Sequence, residues 1–218
     1  MTRLVLVRHG QTAWNLEGRA QGHTDVGLDD TGRAQATAVA PCIARYAPTA
    51  LWSSDLARAL QTATTIGEAC GLEPRTDPRL REFDVGERAG LTVAEFAARF
   101  PVAFAAWKGG HITGHVPGAE TTAQVLGRMV PALREIWAGT PAGETTAVVA
   151  HGACLKVSLA ALIGWTEDQA ASLRGLENCG WVVLEEDPHG RGLRMASYNE
   201  TAHPGDHGPD FASDGPVG

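Results

Sequence analysis

The sequence has no long hydrophobic run, no cysteine framework and no excess of positive charge. No apolar stretch approaches the ~20 residues of a membrane span, and the short apolar run at residues 4–7 is interrupted by Arg8, unlike a signal peptide. The formal net charge of −7 argues against nucleic-acid or anionic-membrane partners. The four cysteines include no Cys-x-x-Cys pair, which disfavours a disulfide scaffold, a zinc knuckle or a thioredoxin-type centre: Cys42, Cys70, Cys154 and Cys179. These absences predict a globular protein of a reducing, cytoplasmic compartment.

Lysine is also scarce. Lys108 and Lys156 are the only two lysines among 18 basic residues, so the positive charge is carried almost entirely by arginine. Because a planar guanidinium group makes paired hydrogen bonds to phosphate and carboxylate, local anion sites stay open despite the acidic net charge.

Apolar runs alternate with helical stretches along most of the chain. Short runs rich in β-branched residues predict buried strands at residues 4–7, 50–53 and 145–150. Helical patterns fall between and after them, at residues 30–46, 55–70, 92 onward, 121–137 and 153–163. Residues 181–184 and 193–196 read as a hairpin. The order predicts an α/β protein, a three-layer α/β/α sandwich with a mostly parallel central sheet and an antiparallel edge hairpin.

Several local expectations accompany this fold. Thr92 and Glu95 have the spacing of a capping box at the start of a helix, and Asp55 is expected to cap the helix that follows it. Pro41 and Pro131 are expected to kink or split their helices. We expect one domain over residues 1–198 and a flexible Pro/Gly-rich tail over residues 199–218. Three tryptophans are expected in the core: Trp14, Trp52 and Trp181.

Charged and imidazole side chains follow three of the predicted strands. Arg8 and His9 follow the first, Arg58 lies just after the second, and His151 follows the late strand. Because parallel strands end at one edge of a sheet, where α/β proteins bind ligands, these four side chains should converge. Guanidinium and imidazole groups that converge need an anion between them, and a phosphoryl group fits, with one histidine as nucleophile.

A leaving alkoxide needs a proton, which a nearby carboxylic acid would supply. Glu82, Asp84 and Glu87 are the candidates in the segment after residue 80, and spacing alone does not choose between them.

Other candidate residues are weaker. His111 and His115 are four apart, as metal ligands on a helix would be, but the surrounding glycines favour a loop and no metal site. His203 and His207 are expected in the solvated tail. Four aromatic residues either overhang the pocket or pack short helices together: Phe83, Phe100, Phe104 and Trp107.

Two other phosphate chemistries are excluded by the sequence. A cysteine phosphatase needs Cys-x5-Arg, but the sixth residues after the cysteines are Pro48, Thr76, Ala160 and Glu185. A P-loop needs glycine before its lysine, and here Trp107 and Leu155 precede the two lysines.

Four motifs together resemble the histidine phosphatase superfamily, also called phosphoglycerate mutase-like. The first is Arg8-His9-Gly10-Gln11-Thr12 with Asn15, and the second runs from Ser53 through Arg58 to Thr62. The third is Leu80-Arg81-Glu82, and the fourth is Ala150-His151-Gly152. The resemblance extends to about Asn199, which makes residues 1–198 the catalytic domain.

The resemblance implies a phosphohistidine mechanism on a small-molecule phosphomonoester, with no metal and no cofactor. His9 would be the nucleophile, and Arg8, Arg58 and His151 would hold the phosphoryl group. Glu82, preferred to Asp84 and Glu87 by the family match, would be the acid and then the base. Substrate-side positions would be Asn15, Gln21 and Gly22, with a backbone N–H from Gly152.

The resemblance leaves the reaction and the substrate partly open. Pro117-Gly118-Ala119-Glu120 and the short middle segment resemble the small phosphatase branch, so we expect a phosphatase before a mutase or a non-catalytic binder of phosphorylated ligands. The chain resembles broad-specificity, glucosyl-phosphoglycerate and α-ribazole phosphatases alike. The edge hairpin would allow a homodimer.

Overall fold

The computed structural model describes residues 1–110, 115–190 and 192–202. The predicted positions of His111, His203 and His207, and the tail from residue 203 onward, lie outside this part. Six strands form one sheet in the order β3-β2-β4-β1-β5-β6. The strands are β1 (Arg3–Arg8), β2 (Ala50–Ser53), β3 (Arg75–Thr76), β4 (Thr145–Ala150), β5 (Trp181–Glu186) and β6 (Leu193–Glu200).

The sheet is mostly parallel. β1 pairs with β4, β4 with β2 and β2 with β3 in parallel, whereas β5 runs antiparallel to both β1 and β6. Arg8 is opposite Ala150, and Ser53 is opposite Val149, so β1, β2 and β4 end at one edge. The predicted convergence of three strand ends is therefore confirmed for the backbone, and β5 adds its amino end to the same edge.

Eight helices surround the sheet in the described chain: α1 (Ala13–Leu16), α2 (Asp30–Ala44), α3 (Ala57–Cys70), α4 (Val93–Arg99), α5 (Pro101–Lys108), α6 (Thr122–Ala138), α7 (Gly152–Ile163) and α8 (Glu167–Ala171). No helix of residues 1–110, 115–190 or 192–202 is long and apolar enough to cross a membrane.

Alternate residues of each central strand face two separate cores. Leu4 and Leu6 pack with α6 and α7, where Met129 and Leu155 are fully buried. Val5 and Val7 face the other way, toward α2 and α3. Because a strand that is buried on both faces needs apolar side chains at every position, the unbroken apolar runs of β1 and β4 follow directly from this three-layer arrangement. The predicted α/β/α sandwich with its antiparallel edge is confirmed.

The capping predictions had mixed outcomes. Thr92 begins α4 with the predicted capping box to Glu95. Asp55, however, does not cap α3, whose N-cap is Leu56. Asp55 binds Arg81 through both carboxylate oxygens, at 2.8 and 2.5 Å, and the N–H of Ala57 instead donates to Asp25 Oδ1 at 2.6 Å. Because the carboxylate of Asp55 is used in a two-point ion pair with Arg81, it does not cap α3.

The expectations for the prolines and tryptophans also had mixed outcomes. Pro41 and Pro131 lie inside α2 and α6 without splitting either helix. Pro41 is in the last turn, and buried residues of α6 on both sides of Pro131 hold that helix against its core. Trp181 is buried, but Trp14 and Trp52 are only partly so. β6 extends to Glu200, so Asn199 and Glu200 belong to the sheet and not to the predicted tail.

Candidate active site

His9 begins the site where β1 ends. Its side chain is buried, and its Nδ1 lies 2.6 Å from the carbonyl oxygen of Gly10. Since a carbonyl only accepts, Nδ1 carries the proton and Nε2 keeps its lone pair. Burial, with the nearby positive charges of Arg58 and Arg8, holds the pKa of His9 well below its usual range. His9 is therefore a neutral imidazole with one basic nitrogen free to react.

The backbone around His9 is packed against two other elements. The N–H of Gly10 donates to Thr62 Oγ1 on α3 at 3.1 Å, and the carbonyl of His9 accepts from Asn178 Nδ2 at 3.1 Å. A Cβ atom on Gly10 would lie 2.6 Å from the carbonyl oxygen of Gly32 in α2. Only glycine fits there, because that helix meets the loop backbone directly.

Arg8 is buried beside the reactive histidine. Its Nη1 donates to the carbonyl of Leu176 at 2.5 Å, while its Nε is buried with no partner in the described structure. Burial lowers the pKa of Arg8 and the carboxylate of Glu82 opposes that shift. A buried, unused guanidinium donor has a high cost unless an anion joins it, which supports the predicted anion site.

Arg58 is fully buried at the start of α3. Nη1 donates to the carbonyl of Thr24 at 2.9 Å and Nη2 to that of Gly22 at 2.7 Å, which fixes the plane of the guanidinium. Its Nε donates to His151 Nδ1 at 3.2 Å. These bonds use three of five N–H donors, so two stay available to an anion.

His151 follows β4 and is fully buried. Its ring centroid lies 5.1 Å from that of His9, with the planes at 62°. Burial, then the charge of Arg58, holds the pKa of His151 well below its usual range, so this ring is also neutral. The structure thus brings together all four residues that the sequence placed at the strand ends.

Glu82 lies against the amino end of α7. Its Oε1 accepts from the N–H groups of Phe83 and Cys154, at 2.9 and 2.8 Å, and its Oε2 accepts from the N–H of Ala153 at 3.0 Å. A helix amino terminus is a favourable place for a carboxylate, and these bonds aim the group into the cavity.

The other two acids lie elsewhere. Asp84 Oδ1 closes a local turn by accepting from the N–H of Gly86 at 2.9 Å. Glu87 pairs with Arg99 at 2.6 Å, and both side chains are at least half exposed. Neither Asp84 nor Glu87 lines the cavity that His9 borders, so the geometry favours Glu82 as the candidate acid.

The predicted substrate-side residues differ in what they offer. Asn15 Oδ1 accepts from the N–H of Thr12 at 3.0 Å and so forms part of the capping box at the start of α1. Gln21 lines the cavity with a buried Oε1 that has no partner in the described part of the chain. Gly22 has a positive φ of 51° and supplies the carbonyl that holds Arg58, so its contribution is to shape the loop.

Gly152 is the first residue of α7 and packs against Arg8. A Cβ atom there would lie 3.3 Å from Arg8 Nε. The N–H groups of the next two residues are taken by Glu82, so the helix terminus orients the acid as well as facing the anion site.

A cavity of about 860 Å³ is lined by Arg8, His9, Arg58 and Glu82, while the fully buried His151 contacts Arg58 beside it. It continues along α7 from Gly152 to Ala161 and reaches Trp165. The nine helical steps from Gly152 to Ala161 span roughly 13 Å, far more than a phosphoryl group requires.

The aromatic residues between positions 96 and 107 pack against one another, and one of them also borders the cavity. Phe96 is fully buried, with Phe100, Phe104 and Trp107 around it at centroid distances of 5.8–6.3 Å. The Arg88 guanidinium lies 4.4 Å from the Phe96 ring and 4.8 Å from that of Trp107. Of the four predicted aromatics, Phe83 and Trp107 line the cavity, whereas Phe100 and Phe104 pack the short helices.

Sequence reasoning missed several residues of the site. Four residues make a hydrogen bond to a central side chain or to the backbone beside it: Ser54, Thr62, Leu176 and Asn178. Ser54 and Thr62 belong to the motif around Arg58, which was the one available signal for them. Within residues 1–110, 115–190 and 192–202, no three His, Cys, Asp or Glu side chains cluster as a metal site.

A neutral buried histidine near two arginines, at the carboxyl edge of an α/β sheet, is an arrangement suited to phosphoryl transfer. Residues 4–201 match the model of the histidine phosphatase superfamily (branch 1). The chain belongs to this family, and it is a phosphatase of phosphomonoesters.

Three relatives show how similar the chain is to known members. It is 38% identical over 189 residues to a glucosyl-3-phosphoglycerate phosphatase of Mycolicibacterium vanbaalenii, covering 84% of this chain and 83% of that one. It is 34% identical over 206 residues to a probable phosphoglycerate mutase of Yersinia enterocolitica, covering 93% and 95%. The solved structure of a mycobacterial glucosyl-3-phosphoglycerate phosphatase with VO3 has a TM-score of 0.84 at 36% identity, covering 91% and 99%.

Proposed function

We propose that this phosphatase works through a phosphohistidine on His9. The observation that supports it is the neutral, buried imidazole whose Nδ1–H is fixed on Gly10, which leaves Nε2 as the only basic ring nitrogen. Nε2 attacks phosphorus in line with the ester oxygen, the P–N bond forms and the P–O ester bond breaks.

Arg8 and Arg58 bind the phosphoryl oxygens in this proposal. Arg8 offers its unused Nε–H and Arg58 its two remaining donors, both from buried positions where charge-assisted hydrogen bonds are strong. His151, whose ring centroid lies 5.1 Å from that of His9, adds a third contact once the bound dianion favours a proton on its Nδ1.

Glu82 moves the proton in both halves of the reaction. Its Oε2 accepts a single backbone N–H and so has room for a proton, which passes to the leaving alkoxide in the first step. The resulting carboxylate takes a proton from water as the water attacks the phosphohistidine. The P–N bond then breaks, and inorganic phosphate leaves with Glu82 protonated again.

We propose that Asn15 and Gln21 contact the substrate beside the phosphoryl group. Asn15 lines the cavity, and because capping bonds use its Oδ1, its amide nitrogen is the group it can offer to a substrate. Gln21 brings a buried acceptor without a partner in the described chain. An acceptor there suits a substrate hydroxyl.

The proposed substrate is a phosphorylated sugar acid that carries a further sugar ring. Two similar proteins are named glucosyl-3-phosphoglycerate phosphatases, and the cavity extends roughly 13 Å along α7 beyond the phosphate end. Trp107 and Trp165 line it, and indole faces pack well against sugar rings.

Phosphate release from a panel of esters tests the proposal. Glucosyl-3-phosphoglycerate, 3-phosphoglycerate, α-ribazole phosphate and nucleotides are compared with EDTA present, for wild type and His9→Ala. Release that resists EDTA and disappears in His9→Ala is expected. Isomerisation of 3-phosphoglycerate without release of inorganic phosphate would instead support the mutase alternative. That alternative is suggested by the similarity to the probable phosphoglycerate mutase of Yersinia enterocolitica. Retained ligand binding with no turnover in wild type would support a binder.

We also propose a cytoplasmic homodimer in which the catalytic domain runs to Glu200, the last residue of β6, and not to residue 198 as expected from the sequence. β6 is the outer strand of the hairpin and has an unpaired edge within the described chain, which a second copy would extend. Light scattering of the purified protein distinguishes one copy from two.

A further inference from the structure

Both ring nitrogens of His151 are engaged. Nδ1 accepts from Arg58 Nε at 3.2 Å, and Nε2 lies 2.9 Å from Ser54 Oγ. Because a guanidinium group only donates, Nδ1 must hold the lone pair in this arrangement. The proton of the neutral ring is then on Nε2, and it is donated to the hydroxyl oxygen of Ser54.

Ser54 is itself fixed at the end of β2. It is fully buried, and its backbone N–H donates to the carbonyl of Val149 in β4 at 2.9 Å. Its Oγ also accepts from the N–H of Leu56 at 3.3 Å. The hydroxyl oxygen that receives the imidazole proton therefore has a position set by the sheet and by the start of α3.

We propose that Ser54 is the positioning residue of His151. The proposal rests on the proposed role of His151 in holding the phosphoryl group. Ser54 accepts the Nε2–H in both the neutral and the protonated ring. Nδ1 therefore accepts from Arg58 when the ring is neutral. With a phosphoryl dianion bound, a proton on Nδ1 lets the ring donate to a phosphoryl oxygen in place of accepting from Arg58.

Loss of the hydroxyl leaves a buried imidazole N–H without an acceptor, which is costly. The ring can relieve this by turning over about χ2, which puts a carbon atom in the place of each nitrogen and releases Nδ1 from Arg58. The fixed geometry and tautomer are then lost although the imidazole is still present. Arg8 and Arg58 still bind the ground state, so we expect Ser54→Ala to lower kcat about tenfold to a hundredfold, with KM changed by less than about threefold.

The neighbouring serine provides a matched control. Ser53 is also fully buried, and its Oγ donates to the carbonyl of Ser54 at 2.8 Å without touching His151. Ser53→Ala removes one buried hydroxyl from the same strand end and should keep kcat within about twofold. Ser54→Thr keeps the hydroxyl oxygen and should restore most of the kcat lost in Ser54→Ala.

The direct measurement is a ¹H–¹⁵N spectrum of the histidine rings at neutral pH. The signals of His151 are assigned by their loss in His151→Gln. Wild type and Ser53→Ala should show His151 protonated on Nε2, and Ser54→Ala should show a changed or mixed tautomer together with the loss of kcat.

The spectra and the kinetics each give an outcome that would contradict the role proposed for Ser54. A wild-type His151 protonated on Nδ1 overturns the proposal, even if no Ser54 variant folds. So does a folded Ser54→Ala with an unchanged tautomer or with wild-type kcat. Absence of phosphate release by wild type would instead count against the proposed function, while the tautomer still reports on the Ser54 contact.

Discussion

His9 and His151 lie 5.1 Å apart and carry their protons on opposite ring nitrogens, Nδ1 in one and Nε2 in the other. Gly10 fixes the first and Arg58, with Ser54, fixes the second. The two rings therefore have different chemistry in nearly the same environment. His9 presents a lone pair from Nε2, whereas His151 holds a guanidinium in place.

The first prediction concerns acid stability. The pKa of His9 is well below its usual range in the folded protein, whereas in the unfolded chain it is about 6.5. Between these values the unfolded chain binds more protons, so the free energy of unfolding falls as pH decreases through that window.

Urea unfolding of wild type and His9→Gln at pH 7.5, 6.5 and 5.5, without phosphate buffer, measures this effect. Below pH 6.5, wild type should lose up to ~1.4 kcal/mol per pH unit more than the variant. The carboxylates with lowered pKa, such as Asp55, titrate below this range. Parallel curves for the two proteins would contradict the prediction.

The second prediction concerns Glu82. Glu82→Gln keeps an oxygen that can accept the backbone N–H bonds but removes the acid. We expect kcat to fall about 10²–10⁴-fold for a sugar phosphate, whose alkoxide needs a proton to leave. With p-nitrophenyl phosphate the first step needs no acid, so a burst of one nitrophenol per enzyme should precede slow turnover.

Glu87→Gln is the matched control. Its pairing with Arg99 is a surface interaction worth little, so both substrates should be cleaved as by wild type. Full activity of Glu82→Gln on the sugar phosphate would mean that another group is the acid.

The third prediction concerns Arg58. Lysine has one nitrogen and cannot reach the carbonyls of Gly22 and Thr24 and the Nδ1 of His151 together. Arg58→Lys should lower kcat/KM at least a hundredfold, weaken inhibition by inorganic phosphate and reduce stability by roughly 2–4 kcal/mol. Arg33→Lys, on the exposed face of α2, should leave all three unchanged. Steady-state kinetics and urea unfolding check both variants.

The fourth prediction compares two glycines. A methyl group on Gly10 would meet the carbonyl oxygen of Gly32 at 2.6 Å, so Gly10→Ala should destabilise the protein by roughly 1–3 kcal/mol and displace His9. Gly127 lies within α6 with nothing within 4 Å of such a methyl group. Gly127→Ala should stabilise by about 0.5–1 kcal/mol because it reduces the entropy of the unfolded chain. Thermal unfolding and activity measure both, and equal effects would contradict the packing argument.

The sequence predicted much of the fold because its strongest signals are local. The apolar runs at residues 50–53 and 145–150 are β2 and β4, with the predicted bounds. Arg8 and His151 were placed correctly because the ends of parallel strands share an edge. These inferences need only periodicity and the chemistry of the residue that follows a strand.

The remaining contacts depend on residues that are distant in sequence. Ser54 meets His151 across 97 residues, and Arg8 reaches Leu176 across 168. Asp55 failed as a cap for the same reason, since its partner Arg81 is brought to it by the path of the chain after β3. No pattern within a helix or strand reports such pairings.

The position of β1 in the sheet has a consequence for biosynthesis. β1 is made before the other strands of this sheet, yet both of its neighbours, β4 and β5, are made more than 130 residues later. Until then, β1 has no partner for either of its edges in the finished sheet, and the pocket that buries His9 is incomplete. An unpaired apolar strand invites wrong pairing, so the long delay between β1 and its neighbours makes the assembly of this sheet a late, long-range event in folding.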